Sequence, residues 1–292
     1  MATFKTTWQI GDVKVSRIIE MEQSAPATFF YSDVTDADTI KRQSDWLYPY
    51  FANPDGTLKF SIHSIVLESQ GKRIVVDTCV GNDKDRSKSF PDWSNMQLPY
   101  LADLKKAGYT PESIDYVLQT HLHVDHVGWN MMLKDGKFVP TFSNARYLVG
   151  GTEWDFFSTF NDDATRQHVD DSVRPVIERG VANLVESTHR ITDEVWLEPS
   201  PGHTPGHHHV RISSGGQEAI ITGDLMHHPV QCAFPEWDVN FDADLPKAKK
   251  TRRTFLENYS DKNILIFGTH FASPSCGKIV QKGDAFRFIA QP

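Results

Sequence analysis

The chain has 292 residues, 39% hydrophobic and 23% charged, enough to bury a sizeable core as one large domain or two ordinary ones. A formal charge of −8 argues against nucleic acid or an anionic membrane as the main partner, although a local metal site can still attract an anionic small molecule. Cys79, Cys232 and Cys276 form no CxxC pair, the first residues lack the apolar core of a secretion signal, and no run approaches membrane-spanning length, so a cytoplasmic protein is expected.

Trp8 to Ile10 and Val13 to Ile19, joined by Gly11-Asp12, read as a hairpin, and Ile62 to Glu68 with Arg73 to Asp77 as a second. Between them Met21 to Lys59 is too aromatic for a disordered linker and is expected to cover a pocket or form a subunit contact. From residue 98 the pattern turns to helix then strand: a helix over Leu98 to Ala107 stopped by Gly108, then a buried strand over Ile114 to Gln119. A strand over Ala145 to Val149, a helix over Thr152 to Phe160, and a helix over Ala164 to Arg179 kinked at Pro175 follow. Strands return at Val195 to Glu198, His208 to Ile212 and Ala219 to Thr222. A basic amphipathic helix over Leu245 to Tyr259 precedes a final buried strand, Ile264 to Phe267. With no linker or low-complexity tract, residues 1–292 read as a single layered α/β domain.

Thr120-His121-Leu122-His123-Val124-Asp125-His126 carries the densest chemistry. Residues two apart on extended chain point the same way, so His121 and His123 address one point, while Asp125 and His126, past the turn, address a neighbouring one. Two ions sharing the loop are sterically easier than four ligands around one. Three more apolar strands end in a ligand-type residue: His203 in SPGHTPGH, Asp224 in ITGD, and His270 in IFGTH. Imidazole and carboxylate donors without thiolates suit two zinc ions, with iron, manganese or cobalt as alternatives. Such a pair can share a hydroxide and polarise a carbonyl or phosphoryl oxygen, so no serine or cysteine nucleophile is needed.

THLHVDH, SPGHTPGH, ITGDL and GTH, in this order and spacing, resemble the metallo-β-lactamase-fold hydrolases over nearly the whole chain. The resemblance implies an α/β (α+β) fold, a four-layer αββα sandwich. It implies one zinc at His121, His123 and His203, the other at Asp125, His126 and His270, with Asp224 between them and Asp77 orienting a ligand from outside. Asp125, Asp224 and His227 are the expected catalytic groups. His227 stands where acyl-homoserine lactonases usually carry a carbonyl-stabilising tyrosine, and GDLxH looks more like the methyl parathion hydrolase branch.

The expected activity is hydrolysis of a small, partly apolar lactone, carboxylic ester or phosphotriester. A glyoxalase-II-like thioesterase, a β-lactamase, and a non-catalytic ligand-binding module are the rivals. The expected partner is a small-molecule substrate, with no nucleic acid and no membrane, and a homodimer is compatible with the resemblance. His207, His208 and His209 are expected to be structural or solvent-facing, Cys79 a small buried residue, and Lys247 to Arg253 a solvated helix face. Of Trp129, Trp154, Phe156, Phe157 and Phe234, most should be core and one or two should line an apolar pocket.

Overall fold

Every second residue of a strand faces the same side, so the alternation of apolar side chains decides the layering. A computed structural model describes residues 4–34, 36–160 and 162–291, without the side chains of 163–165. The chain enters through β1 (Thr7–Ile10) and β2 (Val13–Ala25), continues with β3 (Leu58–Ser69) and β4 (Lys72–Val76), and reaches β5 (Tyr116–Leu118) after a helix over Tyr100–Lys106. A separate hairpin, β6 (Met131–Lys134) and β7 (Lys137–Pro140), follows. With β8 (Arg146–Gly150) and β9 (Ala182–Val185), the first sheet runs β1-β2-β3-β4-β5-β8-β9. The second runs in chain order through β10 (Val195–Pro199), β11 (His208–Ser214), β12 (Gln217–Ile221), β13 (Ile264–Phe267), β14 (Cys276–Lys282) and β15 (Ala285–Ala290).

Ile65, Leu67, Ile74, Val76, Leu118 and Leu148 of the first sheet pack against Val195, Leu197, Val210, Ile212, Ile221 and Phe267 of the second. The residues between them in sequence, Val66, Val75, Val117 and Tyr147, are buried on the opposite face, in the layer that includes Tyr100 and Leu104 of the Tyr100–Lys106 helix. Phe255 and Leu256 of the helix over Leu245–Tyr259 likewise cover the second sheet with Ile220, Ile264 and Ile266. Each such side chain contributes on the order of 1.5–3 kcal/mol when fully buried. This is the αββα sandwich of the metallo-β-lactamase fold.

Strands β4, β5, β8 and β9 pair in parallel, as do β12 and β13, while β10, β11 and β12 alternate in direction. The exits of β4 and β5, the exits of β12 and β13, and the turn from β10 to β11 therefore gather at one edge of the sandwich. Loops at strand ends are where a rigid scaffold can present chemistry.

Several expectations change. Ile264–Phe267 is not the last strand, because β14 and β15 follow around a turn at Gly283, whose φ of +63° suits glycine. The expected helix over Ala164 to Arg179 is three pieces: Asp163–His168, a π turn over Val169–Val173, and Arg174–Glu178. The irregularity comes just before Pro175, which has no N–H to give the preceding turn. Arg252 breaks the solvated helix face: its side chain is fully buried, donating to the carbonyls of Leu225, Pro235 and Trp237. All three cysteines are buried and free. No described helix is long and apolar enough to cross a membrane.

Met21 to Lys59 holds the end of β2 and short helices over Ala27–Phe30, Asp38–Lys41 and Ser44–Leu47. It is pinned to the segment before the Leu245–Tyr259 helix. Tyr31 bridges Val239, Ser32 N–H donates to the Asp238 carbonyl, and Asn240 Nδ2 donates to the carbonyls of Thr28 and Phe29.

Candidate metal centre

The loop after β5 turns sharply at His123 into a short helix over Val124–Val127. His121 and His123, on the extended part, meet His203 from the turn between β10 and β11. His121 Nε2 lies 3.0 Å from His123 Nδ1; His203 Nε2 lies 2.9 Å from His123 Nδ1 and 3.2 Å from His121 Nε2. Asp125, His126 and His270 form a second set, with the Nε2 atoms of His126 and His270 3.2 Å apart and Asp125 oxygens 3.6 and 3.4 Å from them. Asp224 stands between: its Oδ2 is 3.7 Å from His121, 3.5 Å from His203, 3.4 Å from His126 and 3.2 Å from His270.

These donors fit metal ions. Neutral imidazole has one N–H, and here it is used outward: His203 Nδ1 to Asp242 Oδ1 at 2.9 Å, His126 Nδ1 to Asp77 Oδ2 at 3.0 Å, and His270 Nδ1 to the Ser61 carbonyl at 3.0 Å. His121 Nδ1 faces Thr120 Oγ1 at 3.1 Å. The inward nitrogens then present lone pairs to one another, which is repulsive unless a cation lies between them. Separations of 2.9–3.2 Å approach the ~3.3 Å edge of a tetrahedron built on ~2.0 Å zinc–nitrogen bonds.

Charge follows the same division. Burial holds His121 and His123 well below the usual histidine range, leaving them in the neutral, ligating form. Burial opposes charge on His126 and His270 too, but Asp224 and Asp125 outweigh it and raise both. The second set therefore attracts a positive charge, whether proton or metal ion. Burial likewise opposes the Asp224 carboxylate, yet the imidazoles around it, His270 and His126 foremost, hold it well below the ordinary carboxylate range.

Outside the ligand atoms, Asp77 sits at the end of β4 with φ +55°. Its oxygens accept from Thr120 N–H, Thr120 Oγ1 and His126 Nδ1, so one carboxylate holds the His126 ring and the residue just before His121. His207 is buried and orients Asp224: its Nε2 accepts the Asp224 N–H at 2.9 Å, while Nδ1 meets Ser200. Gly223, at φ +56°, permits this approach, since a Cβ there would lie 2.5 Å from His207 Nε2. His208 and His209 are buried as well, the first against the carbonyls of Gln119 and Gly206, the second 3.3 Å from Glu198, so none of the three faces solvent.

Two carboxylates here escaped the sequence reading. Asp242 holds His203 and is held in turn by Arg252 at 3.2 Å, both side chains 1% exposed. Glu153 is fully buried in the first turn of the helix over Gly151–Ser158, where burial raises its carboxyl. Neither lies in a ligand-like motif; their pairing with His203 and with loop amides exists only after folding.

His227 Nε2 lies 3.2 Å from Asp224 Oδ2, its ring stacked with that of His270 and 6.1 Å from Phe241, and burial lowers its pKa despite Asp224. Phe241 continues into an aromatic wall, 5.4 Å from Phe29, which stacks on Phe60 at 6.4 Å. Of the aromatic residues singled out from sequence, Phe157 lies 5.5 Å from the His123 ring. Trp129 is buried against Tyr100, Phe234 stacks on Trp237, Trp154 packs under Arg174, and Phe156 packs on Phe157 and Phe160.

Residues 58–270 match the family model described as the metallo-beta-lactamase superfamily, and the chain belongs to that superfamily, as an enzyme of hydrolase type. Among its relatives is an N-acyl homoserine lactonase of Bacillus sp, 26% identical over 231 residues, 74% of this chain and 83% of the relative. Another, AttM of Azorhizobium caulinodans, an N-acyl homoserine lactonase, is 30% identical over 122 residues, 40% of this chain and 43% of its own length. The fold is shared with AidC, a dizinc quorum-quenching lactonase solved with N-hexanoyl-L-homoserine product, at TM-score 0.79 and 21% identity over 99% of this chain and 97% of AidC. It is shared equally with the hydrolase AbOPH, at TM-score 0.80 and 23% identity over 100% and 99%.

Proposed function

We propose that the protein is a dinuclear zinc hydrolase of small, neutral, partly apolar esters, with lactones as the leading substrate class. The observation that carries this reading is the placement of Asp224 between two complementary donor sets, His121/His123/His203 and Asp125/His126/His270. Two divalent ions held there would polarise a scissile carbonyl and make a water acidic enough to supply a nucleophile near neutral pH. Iron, manganese or cobalt would be accepted by the same donors.

The remaining work falls to the chain's own groups. Asp77 and Asp242 keep His126 and His203 in the tautomer that turns Nε2 inward. His227, with neither nitrogen otherwise hydrogen-bonded among the described residues beyond its approach to Asp224, is placed to donate to the carbonyl or leaving oxygen of a bound ester. Phe29 and Phe241, backed by the buried Phe60, offer an uncharged surface for the apolar arm, since no Lys or Arg among the described residues lies over these rings. The similarity to N-acyl homoserine lactonases supports a lactone before a phosphotriester or thioester.

The test is a panel of lactones, aryl esters, phosphotriesters, thioesters and β-lactams, run on metal-quantified protein with Asp224→Ala as control. Lactones should be turned over fastest, and Asp224→Ala should lose both turnover and metal. Full activity in that variant would refute the mechanism.

A further inference from the structure

We infer that Glu153 is the positioning residue that sets the spacing of the three-histidine metal position, acting through backbone amides rather than through any ligand atom. The inference rests on the metal-centre reading above and adds to it a residue that touches neither metal donors nor substrate.

His121 and His123 come from the first sheet and His203 from the second, so the three nitrogens meet only if two separate loops hold a fixed separation. Glu153 spans that gap. Its Oε1 accepts the N–H of Gly206 at 2.6 Å, three residues past His203, and its Oε2 accepts the N–H of Leu122 at 3.3 Å, between His121 and His123. The carboxylate is fully buried beside an apolar cluster that includes Leu122, Val127, Val149 and Phe157. A carboxylate in such surroundings is costly unless its oxygens are satisfied, so its presence at this point needs the two amides as partners. Gly206 is shaped for the contact: a Cβ there would lie 2.8 Å from Glu153 N and 3.0 Å from its Oε1.

The second donor set is held across the two sheets by other groups. His126 is steadied by Asp77, and His270 by Ser61 of β3, which meets both its Nδ1 and its carbonyl. Loosening Glu153 should therefore separate the loops of one metal position and spare the other. General destabilisation would weaken both.

Glu153→Gln is the discriminating variant, because it keeps the shape but turns an NH2 toward one of the two amide N–H groups. Zinc occupancy at each position would be read by anomalous scattering from crystals soaked at graded zinc, alongside chelator competition in solution and thermal unfolding of the metal-free protein. The expected result is a 10–100-fold weaker affinity at His121/His123/His203, an unchanged second position, and unfolding of the metal-free protein within a few degrees of wild type. Gly206→Ala, whose Cβ would press on Glu153 from the other loop, should give a loss at the same position. Equal weakening of both positions, or loss at neither, overturns the inference. So does a Glu153→Gln protein that fails to fold while Gly206→Ala binds both ions normally. Loss of both ions from wild-type protein would instead count against the dinuclear reading itself.

Discussion

Replacing Phe29 and Phe241 with alanine should flatten the dependence of activity on the length of the substrate's apolar arm. The two rings are 46% and 39% exposed, Phe241 beside His227 and Phe29 against Phe241. At roughly 200 Å² per phenylalanine side chain, about 170 Å² of ring surface stays open to solvent next to the metal centre. Complete coverage would contribute about 4 kcal/mol at ~25 cal/mol/Å². An arm lying along one side covers about half of it, so the wall should contribute about 2 kcal/mol, or about 30-fold in kcat/KM. Each methylene that reaches the wall should raise kcat/KM by up to about fourfold.

The assay is kcat/KM for a homologous series of lactones of increasing chain length, on wild type and on Phe29→Ala/Phe241→Ala, with metal content measured in both. Metal content matters because Phe241 adjoins Asp242. The short members should be hydrolysed almost equally by the two proteins and the long ones up to about 30-fold more slowly by the variant. An unchanged slope, or equal losses for short and long members at full metal content, would refute the reasoning.

Asp242→Asn should weaken zinc binding 10–100-fold by releasing His203, and should destabilise the fold by about 3–5 kcal/mol by leaving Arg252 buried without its charge partner; isothermal titration and urea unfolding measure the two effects. Gly223→Ala should cost more than an ordinary surface glycine substitution, because it strains a φ of +56° and drives a Cβ into His207. Loss of metal together with lowered thermal stability is the expected signature. His227→Ala should lower kcat by about 10²-fold at full metal occupancy, with KM much less affected, and His227→Gln should recover part of the loss; a normal kcat in His227→Ala excludes the donor role.

The ligand-type residues stood out in the sequence because each ends an apolar strand, and strand exits can be recognised from residue type and alternation alone. Leu245–Tyr259 and Ile264–Phe267 were equally legible, since a long amphipathic helix and a short apolar run depend on local periodicity. Other features needed the fold. Arg252 reads as one more cation on a basic helix until the carbonyls of Leu225, Pro235 and Trp237 close around it. His207 looks like part of a turn until it meets the Asp224 amide.

By itself, then, the sequence determined the layered fold, the chemistry of the donors and the strands that deliver them. These follow from periodicity and side-chain type. Only the tertiary structure decided which groups orient those donors, how Glu153 links loops from two sheets, and where Phe29, Phe60 and Phe241 stand. Glu153 and Gly206 lie 53 residues apart, and Phe29 and Phe241 meet where Tyr31 pairs with Val239, and Asn240 with Thr28 and Phe29, across the molecule. Contacts of that range leave no local periodicity to read, because chain closure rather than neighbouring residues brings them together.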